Sequence, residues 1–485
     1  MDPADGNRPP PPFPADQFQS TLAETGGPMD PATLTASALA ALIRARQLSA
    51  EEATRATLAR IERLNPGLNA IVQRMDDQAL GDARAIDQRL ARGEDPGPLA
   101  GVPVTVKVNI DQAGQATTNG LRIQAELIAT SDSPPVANLR RAGAILIGRT
   151  NTPAFSLRWF TRNSLHGATR NPAFPGLTPG GSSGGAAAAA AAGLGPIAHG
   201  TDIAGSIRYP AHACGIHGLR PGLGTVPAFN ATAGDRLIGG QLMAVSGPLA
   251  RSAADLRLGV QALAQPDPRD PWWTPATPAP YRKRAALALA PDGLDTDPRI
   301  KDTLTAAARQ LEANGWEIGE PALPPLREAM ELQLTLWLAE FALGGADALA
   351  READPDASFV YHQLTKFAPP PTLETFMRAL QSRARLARLW RGFFADWPVL
   401  LTPVSGRLPF PDHYDTASPE AFAQVIQAQM PQIAPPFMGL PGLALTTGRT
   451  PTHPLGIQAL ADRGREDILL DLADLLAPEI PAIPS

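Results

Sequence analysis

Cysteine, lysine and aromatic residues are scarce in this chain of 485 residues. A single cysteine, Cys214, excludes an intramolecular disulfide framework. Aromatic residues make up 5% of the sequence, so Ala, Leu, Val and Ile carry most of the 44% hydrophobic content. No run of about 18 uncharged apolar residues occurs, which argues against a transmembrane helix. The N-terminus lacks the charged and then apolar order of a signal peptide, so we expect a cytoplasmic protein.

The charge of the chain is mildly acidic, and its cations are almost all arginine. The formal net charge is −5, so the composition does not indicate a nucleic acid or an anionic membrane as a partner. Only four of the 42 basic residues are lysines, namely Lys107, Lys283, Lys301 and Lys366. A buried lysine can lose its proton, whereas an arginine effectively cannot. A lysine inside an apolar run is therefore a candidate for chemistry.

The sequence divides into a short tail and one long domain. Residues 1–29 are rich in proline, with four in a row from Pro9 to Pro12, and are predicted to form a disordered tail. Residues 30–480 contain no convincing domain boundary. Within them short apolar runs alternate with helical patterns, which predicts an α/β fold. Residues 326–391 are predicted to be mostly helical.

Lys107 ends a short apolar segment, Gly101-Val102-Pro103-Val104-Thr105-Val106-Lys107. The β-branched residues predict a buried strand. Burial would lower the pKa of the lysine and make it a base near neutral pH. In the alternative interpretation the stem is buried and the ammonium reaches solvent, which is the commoner arrangement for a lysine considered alone.

A glycine- and serine-rich loop, Thr178 to Gly185, precedes seven consecutive alanines. Glycines permit close approach and alanines favour a helix, so the pair predicts a tight turn that leads into a buried helix. A flexible linker is disfavoured for this reason. The loop also matches a nucleophile elbow with Ser183 as nucleophile, but the three prolines among residues 172–179 are incompatible with the strand that this motif requires. It lacks the Gly-Lys-Ser/Thr ending of a phosphate-binding loop.

The third segment, Gly200 to Pro210, contains Ser206 among small residues. Small residues let successive backbone N–H groups point to one position, as an oxyanion hole requires. Asp202 and Arg208 flank the serine, and we expect them to form an ion pair that stabilises the loop.

Together these segments resemble the amidase signature family, the Ser-Ser-Lys hydrolases. The matching pieces are GVPVTVK, GGSSGG and TDIAGSIRYPA, with 24 residues from the first serine of the loop, Ser182, to Ser206. Weaker similarities extend over residues 35–475. The resemblance implies a single large domain with a mixed central β-sheet flanked by helices, and it places residues 326–391 near the substrate entrance.

The resemblance also implies a role for each matching residue. Ser206 corresponds to the nucleophile, Ser182 to a bridging serine that follows a cis peptide bond, and Lys107 to the general base. The reaction would convert an amide to an acid plus ammonia or an amine through an acyl-enzyme, without cofactor or metal. Ala204 and Val108 depart from residues common in the family, and neither change removes a catalytic group. The predicted oxyanion hole is formed by Ile203, Ala204, Gly205 and Ser206, the supporting residues are Ser183, Asp202 and Arg208, and the substrate-binding residues are Gly180 and Gly181.

Several alternatives stay open at this point. One branch of the family is the glutaminase component of a tRNA-dependent amidotransferase, which works with a partner, and a non-catalytic scaffold is a further alternative. His212, Cys214 and His217 suggest a metal site, but their spacing is irregular and a packed loop explains them better. The sequence leaves the oligomeric state open, with a homodimer preferred. Trp159, Phe160 and Met438 are apolar candidates for the pocket, although core packing is the more usual role; an arylacetamide is one candidate for the small-molecule substrate.

Overall fold

A computed structural model describes residues 30–368 and 372–484, so the predicted tail over residues 1–29 lies outside the described residues. Thirteen strands occur in this part of the chain, eleven of them in one sheet. The strands are β1 (Ile71–Arg74), β2 (Pro103–Lys107), β3 (Ile145–Thr150), β4 (Arg162–Asn163), β5 (Gly167–Ala168), β6 (Ile197–Asp202), β7 (His217–Arg220), β8 (Val245–Ala250), β9 (Arg284–Leu287), β10 (Glu317–Gly319), β11 (Val399–Thr402), β12 (Gly442–Arg449) and β13 (Pro454–Leu460).

The sheet is mixed, as the sequence predicted. Its strand order is β1-β3-β2-β6-β8-β7-β12-β13-β11-β9-β10. β2 runs parallel to both β3 and β6, and β9 runs parallel to β10 and β11, whereas the central pairs from β6 to β13 are antiparallel. β4 and β5 form a separate antiparallel pair.

Helices cover the sheet, which confirms the predicted α/β class. The described helices are α1 (Ala36–Arg44), α2 (Ala50–Leu68), α3 (Asp76–Ala91), α4 (Pro134–Arg141), α5 (Gly184–Ala191), α6 (Arg208–Ala213), α7 (Ile238–Met243), α8 (Ala253–Leu263), α9 (Pro298–Ala313), α10 (Arg327–Ala339), α11 (Gly345–Glu352), α12 (Pro355–Phe367), α13 (Leu373–Asp396), α14 (Pro419–Ala428), α15 (Met430–Met438) and α16 (Glu466–Leu476).

Two hydrophobic clusters fill the two faces of the sheet. In β11, Val399 and Leu401 belong to one cluster and Leu400 to the other. Because successive strand residues point to opposite faces, the clusters lie on opposite sides of the sheet. The first cluster joins the sheet to α5, α8, α9 and α16, and the second joins it to α10, α12, α13 and α15. Residues 327–339, 345–352, 355–367 and 373–396 are helical, in line with the predicted helical region.

α5 lies closest to the functional segments. Its glycine and alanine residues are completely or almost completely buried, and the helix contacts β2, β6 and β8. A Cβ atom added at Gly185 would lie 2.4 Å from the backbone nitrogen of Asn151 and 2.8 Å from the carbonyl oxygen of Ala70. Only a residue without a side chain permits this approach, so the composition of the helix sets its distance from β3. None of the helices described is both long and apolar enough to span a bilayer.

We expect Gly185→Ala to lower the midpoint of urea-induced unfolding, with a loss of about 1–3 kcal/mol, because the added methyl group meets backbone atoms that cannot move aside. Gly81→Ala in α3 is the matched control. A Cβ at Gly81 has no neighbour within 4 Å. We therefore expect this control to stabilise the protein by up to about 1 kcal/mol through helix propensity. Equal effects of the two substitutions would contradict the packing argument.

Candidate active site

The three segments predicted to carry chemistry meet at one edge of the sheet. Lys107 is the last residue of β2, and Ser206 follows the end of the parallel neighbour β6 by four residues. The carboxyl ends of parallel strands lie at the same edge, so both residues are brought to one place. Ser182 immediately precedes the start of α5 at Ser183–Gly184, and this helix lies across β2 and β6.

Lys107 is completely buried, and its Nζ lies within hydrogen-bond distance of three hydroxyl groups. The distances are 2.7 Å to Ser182 Oγ, 3.1 Å to Ser183 Oγ and 3.0 Å to Thr201 Oγ1. Burial holds the pKa of Lys107 well below its ordinary value, and the negative charge of Asp202 opposes part of this shift. The alternative of a solvent-exposed ammonium is therefore wrong, because the whole side chain of Lys107 is buried.

Ser182 and Ser183 occupy different environments although they are adjacent. The Gly181–Ser182 peptide bond is cis, as the resemblance implies. Ser182 lines a cavity that Ser206 also lines. Ser183 is buried, its N–H donates to the carbonyl of Ser206 at 3.2 Å, and its hydroxyl donates to the carbonyl of Thr201 at 3.2 Å. Residues 172–180 form no strand, so the nucleophile elbow lacks the strand that it requires.

A buried ion pair shapes the loop around Ser206. Asp202 accepts hydrogen bonds from Arg208 Nε at 3.0 Å and from Arg208 Nη2 at 3.0 Å. Arg220 lies 3.6 Å from the same carboxylate, and the two cations lower the pKa of Asp202 to about 2 although burial opposes this shift. Asp202 also accepts from the backbone N–H groups of Gly205, at 2.8 Å, and Ile207, at 3.1 Å. The carboxylate thus fixes the backbone on both sides of the serine.

These contacts involve one of the four residues of the predicted oxyanion hole. The N–H of Gly205 already donates to Asp202, so it is not available as a free donor in this arrangement. In the described part of the chain, the N–H groups of Ile203, Ala204 and Ser206 have no protein acceptor. Ile203 and Ser206 line the cavity. The oxyanion hole stays a prediction, for which Ile203, Ala204 and Ser206 have N–H groups without a protein acceptor, while the N–H of Gly205 stabilises the loop.

The loop is further supported by two side chains that sequence reasoning did not identify as supports. Trp159 Nε1 donates to the carbonyl of Ala204 at 2.8 Å, and Gln333 Nε2 donates to the carbonyl of Ile203 at 2.9 Å. Gln333 belongs to α10, which joins the loop to the helical layer. Neither residue lies near Ser206 in the sequence, and no local pattern marks them.

The cavity beside Ser206 has a volume of about 240 Å³. Its walls combine Ser182 and Ser206 with other polar side chains, Arg236 among them, and with apolar side chains. Aromatic rings large enough to contact a small substrate come from three separate segments of the chain, so a local motif could not have predicted them. The aromatic lining residues are Phe155, Phe229 and Trp337.

Three apolar candidates for the pocket and the two glycines predicted to bind substrate lie outside the cavity lining. Trp159, Phe160 and Met438 are buried in the second hydrophobic cluster, so core packing is their role. Gly180 and Gly181 do not line the cavity. A Cβ at Gly180 would lie 2.5 Å from Pro210, and one at Gly181 would lie 2.5 Å from the backbone of residues 158 and 160, so these glycines allow close packing instead.

His212, Cys214 and His217 do not converge on a common point. His217 Nε2 lies 2.9 Å from the carbonyl of Pro478, whereas Cys214 Sγ donates to the carbonyl of Pro179 at 3.4 Å. No group of histidine, cysteine and carboxylate side chains with metal-binding geometry occurs in residues 30–368 and 372–484. Burial lowers the pKa of His212 and of His217 to about 4. The packed-loop interpretation fits these contacts.

Comparison with known proteins agrees with the fold. A sequence profile of the family described as Amidase matches residues 52–470. An indoleacetamide hydrolase of Bradyrhizobium diazoefficiens is 40% identical over 440 residues, which are 90% of this chain and 84% of that protein. A glutamyl-tRNA(Gln) amidotransferase component from Moorella thermoacetica is 31% identical, over 91% of this chain and 95% of that protein. The crystal structure of a bacterial aryl acylamidase superposes with a TM-score of 0.80 at 26% identity, covering 93% of this chain and 96% of that chain.

The fold and the relatives together show that the chain is a hydrolase that acts on the carbon–nitrogen bonds of amides. It belongs to the amidase family, in the group known as the amidase signature enzymes. Membership in the family does not by itself assign a role to any individual residue.

Three buried histidines make the stability of the protein sensitive to acid. Burial lowers the pKa of His199 to about 3 and those of His212 and His217 to about 4. The unfolded chain binds these protons near the ordinary histidine pKa of about 6.5, so stability is present above that pH and is lost as the pH falls. As the pH falls from about 6.5 toward the pKa of the folded state, each histidine lowers the free energy of unfolding by about 1.4 kcal/mol per pH unit.

We expect His212→Leu to flatten this dependence by the contribution of one proton. Neither ring nitrogen of His212 has a hydrogen-bond partner in the described structure, so leucine removes the cost of desolvation without breaking a bond. The measurement is the thermal unfolding midpoint of both proteins at a series of pH values from about 7 to about 5. A parallel displacement of the two curves at every pH would show that His212 does not take up a proton on unfolding.

Proposed function

We propose that this protein hydrolyses small carboxylic amides with Ser206 as nucleophile, Ser182 as proton relay and Lys107 as base. The observation that carries the proposal is the buried Lys107 amine, 2.7 Å from Ser182 Oγ, beside the cavity that Ser182 shares with Ser206. A serine hydroxyl becomes an effective nucleophile only when a base accepts its proton. Lys107 contacts Ser182, and Ser182 lines the cavity together with Ser206. This arrangement suits two proton transfers, one from Ser206 to Ser182 and one from Ser182 to Lys107.

In the proposed acylation step, Ser206 Oγ attacks the amide carbon while its proton passes to Ser182 Oγ. The Ser182 proton passes at the same time to the Lys107 amine, which becomes an ammonium. The carbonyl oxygen becomes an oxyanion, and the free N–H groups of Ile203, Ala204 and Ser206 are suitable donors to it. The proton then returns through Ser182 to the amide nitrogen, the carbon–nitrogen bond breaks, and ammonia or an amine leaves.

Deacylation repeats these transfers with water. Water takes the place of Ser206 Oγ as the group that loses a proton through Ser182 to Lys107. The hydroxide adds to the ester carbon, and the second tetrahedral intermediate collapses as Ser206 regains its proton. The products are a carboxylic acid and the free enzyme. Every proton that Lys107 accepts is returned, so the sequence requires protein groups and water alone.

The cavity favours a substrate with a compact apolar acyl group. Phe155, Phe229 and Trp337 supply aromatic surface in a volume of about 240 Å³. Offset or edge-to-face contacts with these rings would stabilise an aromatic substituent. Because an indoleacetamide hydrolase is 40% identical over most of both chains, an arylacetamide is the substrate class that we test first.

Glutamine is the second candidate substrate. The amidotransferase component from Moorella thermoacetica matches 91% of this chain at 31% identity. A protein of that kind would release ammonia from glutamine. The aromatic rings of the cavity suit an uncharged acyl group, while Arg236 and several polar side chains also line it. Ammonia release by the isolated chain, with glutamine and with phenylacetamide and indoleacetamide in parallel, separates the two candidates.

We expect Ser206→Ala to lower kcat by about four orders of magnitude or more, because the covalent step is lost. Ser182→Ala and Lys107→Ala should each lower kcat by at least about a hundredfold, the contribution of general base catalysis. The measurement is ammonia release together with labelling by a fluorophosphonate probe, whose site is identified by peptide mass spectrometry. Ser382→Ala, a serine on α13 outside the cavity, is the control. Full activity of Ser206→Ala, or a label on Ser183, would refute the proposed nucleophile.

The pH profile tests the proposed base. Lys107 acts only as the neutral amine, so kcat/KM should fall as the pH drops through its pKa. Burial places that pKa well below the ordinary lysine value near 10.4. We therefore expect kcat/KM for an uncharged amide to be nearly independent of pH on the alkaline side and to decline only toward acid, measured from about pH 5 to about pH 10. A decline centred near the ordinary lysine pKa would rule out a base with the environment described here.

A further inference from the structure

Asn109 lies two residues beyond Lys107 and lines the cavity, yet the proposed reaction assigns it no role. Its Nδ2 lies 2.9 Å from Thr201 Oγ1, the same atom that lies 3.0 Å from Lys107 Nζ. Asn109 is therefore separated from the amine by a single hydroxyl group. The directions of the hydrogen bonds that link Asn109, Thr201 and Lys107 decide which hydroxyl group can give a proton to Lys107.

A neutral amine has two N–H groups and one lone pair. Three hydroxyl oxygens surround Lys107 Nζ, from Ser182, Ser183 and Thr201. One of them can donate to the lone pair, and the other two must then accept the N–H groups. The relay works only when the donor is Ser182, so the other two hydroxyls must point their protons elsewhere.

Ser183 meets this condition through the backbone of β6. Its hydroxyl donates to the carbonyl oxygen of Thr201 at 3.2 Å and accepts from the N–H of the same residue at 3.2 Å. The proton of Ser183 is thus already used, and its oxygen faces Lys107 as an acceptor.

Thr201 meets the condition only because of Asn109. An amide nitrogen donates and cannot accept, so Thr201 Oγ1 must accept from Asn109 Nδ2. Its second lone pair accepts from Lys107 Nζ, and both lone pairs are then filled. The Thr201 proton therefore points away from the amine. Without the donor at Asn109, the hydroxyl could rotate and donate to Lys107 in competition with Ser182.

The orientation of the Asn109 amide is set by its surroundings. Ser156 Oγ donates to Asn119 Oδ1 at 2.7 Å, so it faces Asn109 as an acceptor, at 3.5 Å from Nδ2. The carbonyl oxygen Oδ1 of Asn109 has no hydrogen-bond partner in the described structure, whereas Nδ2 lies within hydrogen-bond distance of both Ser156 Oγ and Thr201 Oγ1. Ser156 itself has a φ of +53°, a strained value for a non-glycine residue that persists only where the structure enforces it.

We propose that Asn109 is a positioning residue that keeps Thr201 an acceptor and thereby leaves the lone pair of Lys107 to Ser182. This inference rests on the proposed function and adds a residue that touches neither Ser182 nor Ser206. The same arrangement suits the protonated state, because an ammonium has three N–H groups for the three oxygens. No hydroxyl other than Ser182 has to reorient as the proton moves.

The charged and titratable groups around Lys107 do not include Asn109. Burial lowers the pKa of the lysine and Asp202 opposes part of that shift, while His199 and Arg149 are the other titratable groups nearby. A neutral substitution at residue 109 leaves all of these charges in place. Its effect on rate can therefore be assigned to hydrogen-bond direction and not to a change in charge.

The experiment is a double-mutant cycle of Asn109→Leu and Thr201→Val. Asn109→Leu should lower kcat by about tenfold with KM little changed, the size expected for one misdirected hydrogen bond. It should slow phosphonylation of Ser206 by a fluorophosphonate to the same extent. In the Thr201→Val background the same substitution should cost less than about twofold, because the competing hydroxyl is gone. Additive losses would show that the two residues act independently and would overturn the proposal.

Asn109→Asp provides a second variant with the opposite prediction. Its carboxylate would accept the Thr201 proton, so it also prevents donation to Lys107, and it adds a negative charge that raises the pKa of the lysine. We expect acylation faster than in Asn109→Leu at alkaline pH, with the acid decline of kcat/KM moved to higher pH. An Asp variant as slow as the Leu variant at every pH would contradict the proposal.

Two controls separate this inference from the proposed function. Asn314→Leu, at the exposed end of α9, should leave the labelling rate unchanged. Each variant must bind one equivalent of probe at completion, which shows that the site is folded. If the wild-type protein is not labelled at Ser206, the proposed function fails. If it is labelled there and Asn109→Leu reacts as fast as the wild type, the role of Asn109 alone fails.

Discussion

The buried carboxylate of Asp202 is the interaction on which the site depends. It pairs with Arg208 and lies 3.6 Å from Arg220, so one negative charge is balanced by cations from α6 and β7. Isolated charges of this kind are costly inside a protein, and removal of one partner leaves the others uncompensated. The same carboxylate accepts from the backbone on both sides of Ser206. The same carboxylate therefore balances the buried arginines and fixes the shape of the loop that carries Ser206.

Close packing complements this electrostatic balance on the other side of the site. α5 consists of glycine and alanine, and it lies against β2, β6 and β8 at a distance that larger residues would not allow. Its N-terminal end brings Ser182 next to the end of β2, where Lys107 is enclosed on every side. The helix therefore both positions the serine and excludes water from the amine. Low side-chain volume in one element makes the low pKa of another residue attainable.

Local sequence predicted the fold class and the three segments of the site, because each segment is contiguous and its residue types restrict the backbone. The cavity walls were not predictable in this way. Trp159 was a candidate for the pocket, with core packing as its more usual role, and it packs in the core, while Trp337, distant in sequence, lines the cavity. Which apolar residue faces a cavity depends on helix placement, which periodicity does not specify. Asn109 lay two residues from Lys107 and was still missed, since its role depends on a hydroxyl from β6.

In the proposed reaction, Ser182 would also separate the Lys107 amine from the acyl group on Ser206, two groups that could otherwise react with each other. A neutral amine is a stronger nucleophile than a hydroxyl group, and an acyl-enzyme ester is a good acceptor for it. Direct contact between Lys107 and the acyl group would transfer the acyl group to nitrogen and form a stable amide that inactivates the base. Lys107 is fully buried, lies against Ser182 and does not line the cavity, so in the proposed reaction it would exchange protons with the cavity without contacting the carbonyl carbon. The Ser182 hydroxyl would then both conduct protons and protect the enzyme against self-acylation.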